Sequence, residues 1–261
     1  MMKEIMNGTE LHYNLSGEGT AKVLLLHGWG CDMKMMQPVA DALSRTHQTL
    51  LIDFPGFGGS GRPPEPWGVP EYAECLYGLL KKLEFCPCAV IAHSFGCRVA
   101  AWIEAEHPGQ FEKIVFTGAA GIRPKASEES RKRSEQYKKL KTRVDKIRRI
   151  PLMAHLADSW QEKLRQRYGS RDYNALDEEM RKTFVRVINQ DLKDLYPRFR
   201  APTLLVWGDA DTETPLWMAK EMESMIPDSG LVILEGGTHF AYLEQLQRFN
   251  VIIGQFLKEG E

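Results

Sequence analysis

Val90-Ile91-Ala92-His93-Ser94-Phe95-Gly96 is the stretch that decides how this 261-residue chain is read. An apolar run stops at a small residue, a serine follows two positions later, and a glycine two after that. Val99, Ala100, Trp102 and Ile103 then recur at helical spacing. The pattern is a strand, a sharp turn and a helix with Ser94 at the apex. It is G-x-S-x-G with Ala92 in the first glycine position. Such a turn crowds the backbone, so its flanking residues must be small. It lifts the serine hydroxyl out of the sheet and aims the first amides of the following helix at whatever the serine attacks. The reading becomes specific only with a base, an acid and a second oxyanion donor in the right chain order.

Each has a candidate. Upstream, the apolar run 22–26 enters His27-Gly28-Trp29-Gly30. Small residues at a strand end let a backbone N–H approach a ligand closely, so the N–H groups of Trp29 and Phe95 are the expected oxyanion donors. Downstream, run 203–207 ends in Gly208-Asp209-Ala210-Asp211, and run 231–234 precedes Gly236-Gly237-Thr238-His239-Phe240. By composition, Asp209, Asp211 and Glu213 all qualify as the acid. His239 follows the last apolar strand, where the base belongs. His93 and His27 read as packing or loop-structuring residues. Asp53, before a Pro-Gly turn, reads as a carboxylate that caps backbone groups.

Together these motifs resemble the α/β-hydrolase family. The resemblance covers nearly the whole chain. It rests on His27-Gly28-Trp29-Gly30, Asp53-Phe54-Pro55-Gly56-Phe57-Gly58-Gly59-Ser60, the turn at Ser94, Gly208-Asp209-Ala210-Asp211 and Gly237-Thr238-His239-Phe240. Ala92 in place of the usual first glycine is the one departure. The resemblance implies an α/β fold: a mostly parallel central sheet, helices on both faces and a helical cap insertion. It implies a catalytic triad of Ser94, Asp211 and His239, because the family's G-x-x-D pattern falls on Gly208 and Asp211. The reaction it implies is acyl transfer to water through an acyl-enzyme, without metal or cofactor, on a small carboxylic ester. The same fold also supports carbon–carbon bond hydrolysis, perhydrolysis or acyl transfer to another acceptor. A ligand-binding protein that retains a slow triad is the alternative from another class.

Alternating strand and helix patterns along 1–121 and 201–261 imply one core with a parallel sheet, opened by a hairpin at Asn7-Gly8. Residues 122–200 break the alternation and carry no convincing strand, which marks them as the helical cap. Tyr137, Leu140, Val144 and Ile147 recur at helical spacing there, as do Leu176, Met180, Phe184, Val187 and Ile188. From 121 to 150 there are twelve Lys or Arg against four Asp or Glu, a solvated basic face rather than a nucleic-acid surface. Trp29, Phe95, Met153, Trp160, Phe184 and Phe240 are the candidate apolar walls of a substrate pocket.

Hydrophobic content of 43% suffices for a large core, and a net charge of −1 steers the chain neither to nucleic acid nor to a membrane. No apolar run reaches the roughly 18 residues of a membrane span. The first residues lack the apolar core of a signal peptide. Five cysteines, an odd number, then suggest reduced thiols in the cytoplasm. Cys86-Pro87-Cys88 supplies too few ligands for a metal site and reads as a loop. Cys31 and Cys97, beside the two oxyanion segments, read as small buried hydrophobes.

Overall fold

Asn7 and Gly8 both take positive φ, 46° and 78°. They turn strand β1 (Met2–Met6) back on β2 (Thr9–Ser16). This computed structural model describes residues 1–123, 128–148, 150, 153–168 and 171–258. The remaining strands are β3 (Ala21–Leu26), β4 (His47–Asp53), β5 (Cys88–His93), β6 (Phe111–Thr117), β7 (Thr203–Gly208) and β8 (Ser229–Leu234). They form one eight-stranded sheet in the order β1-β2-β4-β3-β5-β6-β7-β8. β2 runs antiparallel to β1 and β4, and every pairing from β4 to β8 is parallel. Parallel strands covered on both faces need near-continuous apolar sequence. β5, in the middle, is buried at all six positions.

The helices are α1 (Gln37–Leu43), α2 (Val69–Lys82), α3 (Phe95–Glu106), α4 (Glu128–Arg148), α5 (Ala154–Tyr168), α6 (Arg171–Ala175), α7 (Glu178–Asn189), α8 (Leu216–Met225), α9 (Ala241–Glu244) and α10 (Leu246–Lys258). One sheet face offers Val23, Leu25, Leu51, Ile91 and Val115 to Val39 and Leu43 of α1 and to Phe249, Ile253 and Leu257 of α10. The three α10 residues are spaced four apart and so share one stripe. The alternate strand residues point to the opposite face. There α2 buries Tyr72, Leu76, Leu79 and Leu80. This packing holds the carboxyl ends of the parallel strands side by side, where open α/β sheets carry their ligand sites.

The chain divides into two compact units, one of residues 1–123 and 185–261, the other of 124–184. The second unit is narrower than the 122–200 insertion read from the sequence. Ile122 is buried, and the carboxyl-terminal part of that range is bonded into the first unit. Leu192 donates to the Gly121 carbonyl, and the Arg200 and Ala201 amides donate to Glu104. Among the described residues, the second unit holds helices and no strand. In it, the Tyr137 and Tyr168 rings lie 5.6 Å apart and Arg148 pairs with Asp158. Val144, Met180, Phe184 and Val187 of the two expected stripes are buried, but Ile188 is 43% exposed. Ile188 lies about 80° around the helix from Met180, at the edge of the stripe rather than its centre.

Candidate active site

Ser94 sits between the end of β5 and the start of α3 with φ 49° and ψ −106°. A non-glycine residue there is strained, by roughly 1–3 kcal/mol, and is held only by its surroundings. Those surroundings are explicit. The Ser94 amide donates to the Thr117 carbonyl, and the Ser94 carbonyl accepts from Cys97 and Ala120. Gly96 is required because a β-carbon there would stand 2.8 Å from both the carbonyl oxygen and the β-carbon of Leu26. Ala92 fits the first glycine position fully buried. The Ser94 side chain itself remains partly exposed.

The His27 loop reaches Ser94 through Gly28. A β-carbon on Gly28 would lie 3.3 Å from Ser94 Cβ and 2.8 Å from His93 Nδ1, so only glycine permits this approach. His27 is buried, and its tautomer is fixed by its partners. Nε2 accepts the Phe54 amide at 3.0 Å, so Nδ1 carries the proton and donates to the Gly28 carbonyl at 2.7 Å. Burial holds the ring below its ordinary pKa, against the pull of that hydrogen bond. In a planar trans peptide the C=O and the next N–H point opposite ways. Anchoring the Gly28 carbonyl therefore sets the direction of the Trp29 N–H. Phe95 N–H belongs to the first turn of α3, whose amides have no acceptor within the helix.

The loops that carry Asp211 and His239 meet through two glycines. A β-carbon on Gly208 would stand 2.1 Å from the Gly237 carbonyl, and Ala210 donates to that carbonyl at 3.0 Å. Asp211 Oδ2 lies 2.9 Å from His239 Nδ1, and Asp211 is buried. Its Oδ1 accepts the Glu213 and Thr214 amides, both at 2.9 Å, and its Oδ2 also accepts the Thr214 hydroxyl at 2.8 Å. Burial pushes this carboxyl up, but the bonds from His239 and Thr214 outweigh it and hold the pKa below its ordinary value. Asp209 and Glu213 are exposed, and Asp209 accepts the Gly236 amide. Of the three acids open to the sequence reading, Asp211 alone is bonded to His239.

His93 is the residue whose part the sequence underspecified. It is buried, and Nε2 donates to the His239 carbonyl at 2.9 Å. Nδ1 is therefore bare, and among the described residues it has no hydrogen-bond partner; it lies against Gly28. The ring lies 4.7 Å from His239, 5.0 Å from Phe240 and 4.9 Å from Tyr242. Burial, then the nearby His239 ring, push its pKa down to about 3. His93 is thus a neutral tether on the loop that carries His239. Gly118, at φ 51°, closes the other side: a β-carbon there would lie 3.1 Å from both Nδ1 and the carbonyl of His239.

The remaining expected residues fall in four environments. Phe240 is half-buried against His93 and His239. Phe95 is buried, its ring 5.2 Å from Trp29 and 5.0 Å from each of Phe54 and Tyr72, which makes it core beneath the turn. Met153, Trp160 and Phe184 belong to the second unit, where Trp160 is 43% exposed and Phe184 lies 6.3 Å from Tyr173. Asp53 caps backbone, accepting the Met33 and Gly59 amides at 2.7 Å each, and pairs with His12. Among the described residues no group of three or more His, Cys, Asp or Glu could hold a metal ion, and no helix is long and apolar enough to cross a membrane.

A sequence model of the alpha/beta hydrolase family matches residues 23–250, and the chain belongs to that family. An AB hydrolase superfamily protein, YisY, of Bacillus subtilis is 25% identical over 95% of this chain and 97% of its own. A pimeloyl-[acyl-carrier protein] methyl ester esterase of Vibrio vulnificus is 25% identical over 92% of this chain and 95% of its own. Among solved structures, the enol-lactonase from Burkholderia xenovorans superposes with a TM-score of 0.75 at 23% identity, covering 99% of this chain and all of that one.

Proposed function

We propose that the protein is a serine hydrolase that cleaves a small carboxylic ester through an acyl-enzyme. The observation that carries this is the pairing of Asp211 with His239 at 2.9 Å in one loop cluster with a serine held at φ 49°. His239 Nδ1 donates to Asp211, so Nε2 is left as the basic nitrogen. Ser94 attacks the ester carbonyl carbon while Nε2 takes its proton. The N–H groups of Trp29 and Phe95 receive the oxyanion, and the leaving alcohol takes the proton back from His239. Water then repeats the sequence on the acyl-enzyme and releases the acid. Asp211 holds the tautomer and stabilises the imidazolium.

His93 positions this base. An imidazolium at position 93 would oppose the positive charge that His239 acquires in the reaction. Its low pKa keeps it neutral, and its N–H fixes the His239 backbone. The esterase among the relatives supports an ester substrate. The helical insertion is proposed to be a cap that sets acyl-length preference. The test is turnover of p-nitrophenyl esters graded in acyl length. Wild type should turn over short and medium esters, and Ser94→Ala and His239→Ala should each lose several orders of magnitude while staying folded. Full activity in Ser94→Ala would end the covalent reading.

A further inference from the structure

The hydrolytic chemistry leaves one pair of nucleophilic groups unused, Cys86 and Cys88 at the start of β5. We infer that they form a redox-active dithiol, a modification site that a hydroperoxide oxidises to an intramolecular disulfide. The two sulfurs lie 3.8 Å apart and share a hydrogen bond. Cys88 is buried, whereas Cys86 is partly exposed; the buried Phe85 precedes it, and Glu84, one residue earlier, faces solvent. The Glu84 carbonyl holds the ammonium of Lys22 at 2.8 Å, and that ammonium also lies 5.8 Å from the centre of the intervening Phe85 ring. A cation is thus fastened to the two residues that lead into Cys86.

The charged groups that act on this pair are Lys22 of β3 and Glu112 of β6. The hydrogen bond from the Cys88 thiol, aided by Lys22, holds Cys86 below the ordinary thiol range against burial and the Glu112 charge. The same hydrogen bond and burial push Cys88 up. The division is that of an attacking thiolate and a protonated resolving thiol. Elsewhere, Cys75 and Cys97 are buried, donate to the carbonyls of Met6 and Ala92, and are pushed up by burial. A metal reading of the pair is poor, since two thiolates fall short of the four ligands of a structural zinc site.

The chemistry balances. The Cys86 thiolate attacks the outer oxygen of the hydroperoxide, the O–O bond breaks, and the departing alkoxide is protonated to an alcohol. Cys86 is then a sulfenic acid. The Cys88 sulfur attacks the Cys86 sulfur, the S–O bond breaks, and the hydroxide leaves as water with the Cys88 proton. Two thiols have been oxidised by two electrons, and one peroxide has been reduced. Closing the bond requires the sulfurs to approach by about 1.8 Å, to the roughly 2.05 Å of a disulfide. The pairing of β5 with β6 is irregular between Cys88 and Ala89, so Cys88 is not locked in a continuous ladder. Ser94 lies six residues further along the strand, roughly 20 Å away, and ester turnover should not change.

The test treats reduced protein with one equivalent of hydrogen peroxide and follows intact and peptide masses. The expected product has lost two hydrogens, both on the peptide containing residues 86–88, and dithiothreitol restores it. Cys88→Ser should instead stop at a sulfenic acid on Cys86 that dimedone captures. Cys86→Ser should slow thiol loss by about tenfold or more, as its lower-pKa thiolate is removed. Ester turnover checks that both variants are folded. First oxidation at another cysteine, such as Cys31, overturns the proposal. So does a wild-type Cys86 that passes to sulfinic acid as readily as it does in Cys88→Ser.

Discussion

Acidification should destabilise this protein through His93. In the folded protein this ring is pushed from 6.5 to about 3. The unfolded chain therefore takes a proton at this ring below about pH 6.5 while the native chain refuses it, so stability falls as pH falls. Integrating that difference from pH 7 to pH 4.5 gives a loss of about 2.5 kcal/mol, a large part of a typical domain's 5–15. Asp211 does not contribute in this window. Its native pKa is held below an ordinary value of 3.8, so the stability it supplies is lost only at lower pH. His27 is also held down and adds to the acid sensitivity of wild type and variant alike. The comparison is therefore with His93→Gln, whose amide can reach the His239 carbonyl but does not titrate. Urea unfolding at pH 7, 5.5 and 4.5 should show wild type losing about 2.5 kcal/mol more than the variant across the range. Equal losses would refute the buried, neutral His93.

Asp211→Asn should lower kcat by roughly 10³–10⁴ by releasing the His239 tautomer, while Asp209→Asn stays within about tenfold of wild type in steady-state kinetics. A severe Asp209 variant would move the acid by two residues. Gly118→Ala introduces a β-carbon 3.1 Å from His239 Nδ1 at a φ of 51°, and should lower both kcat and, by about 1–3 kcal/mol, stability read from Tm. Phe184→Ala should shift the preferred acyl length while leaving fluorophosphonate labelling nearly unchanged. An unchanged length profile with a stability loss of about 3–5 kcal/mol would make Phe184 core of the helical unit instead.

The strand–turn–helix at Ser94 was legible because its constraints are local. A sharp turn needs small neighbours, and Gly96 can be read without knowing that Leu26 presses on it. The places of Ser94, Asp211 and His239 at strand ends were legible for the same reason, since each follows its own apolar strand. The choice among Asp209, Asp211 and Glu213 could be made only by resemblance. Composition does not say which carboxylate turns inward, and the bond to His239 spans 28 residues. His93 carried no local signal, since its carbonyl partner lies 146 residues away. Arg98 was equally opaque. It is buried in α3 and donates to the Val187 and Gln190 carbonyls, 89 and 92 residues distant. The second unit proved narrower than its helical pattern because residues 190–200 bond to the core through backbone amides, which hydrophobic spacing does not register.

The central claim is that Ser94 is a nucleophile activated by His239 and Asp211, and covalent labelling tests it most directly. A fluorophosphonate should add one label per chain, located by peptide mass on Ser94. Labelling should vanish in Ser94→Ala and slow by at least about 10³-fold in His239→Ala, because an unactivated serine is a weak nucleophile. A label that persists undiminished in folded Ser94→Ala, or on another residue of the wild type, would contradict the account.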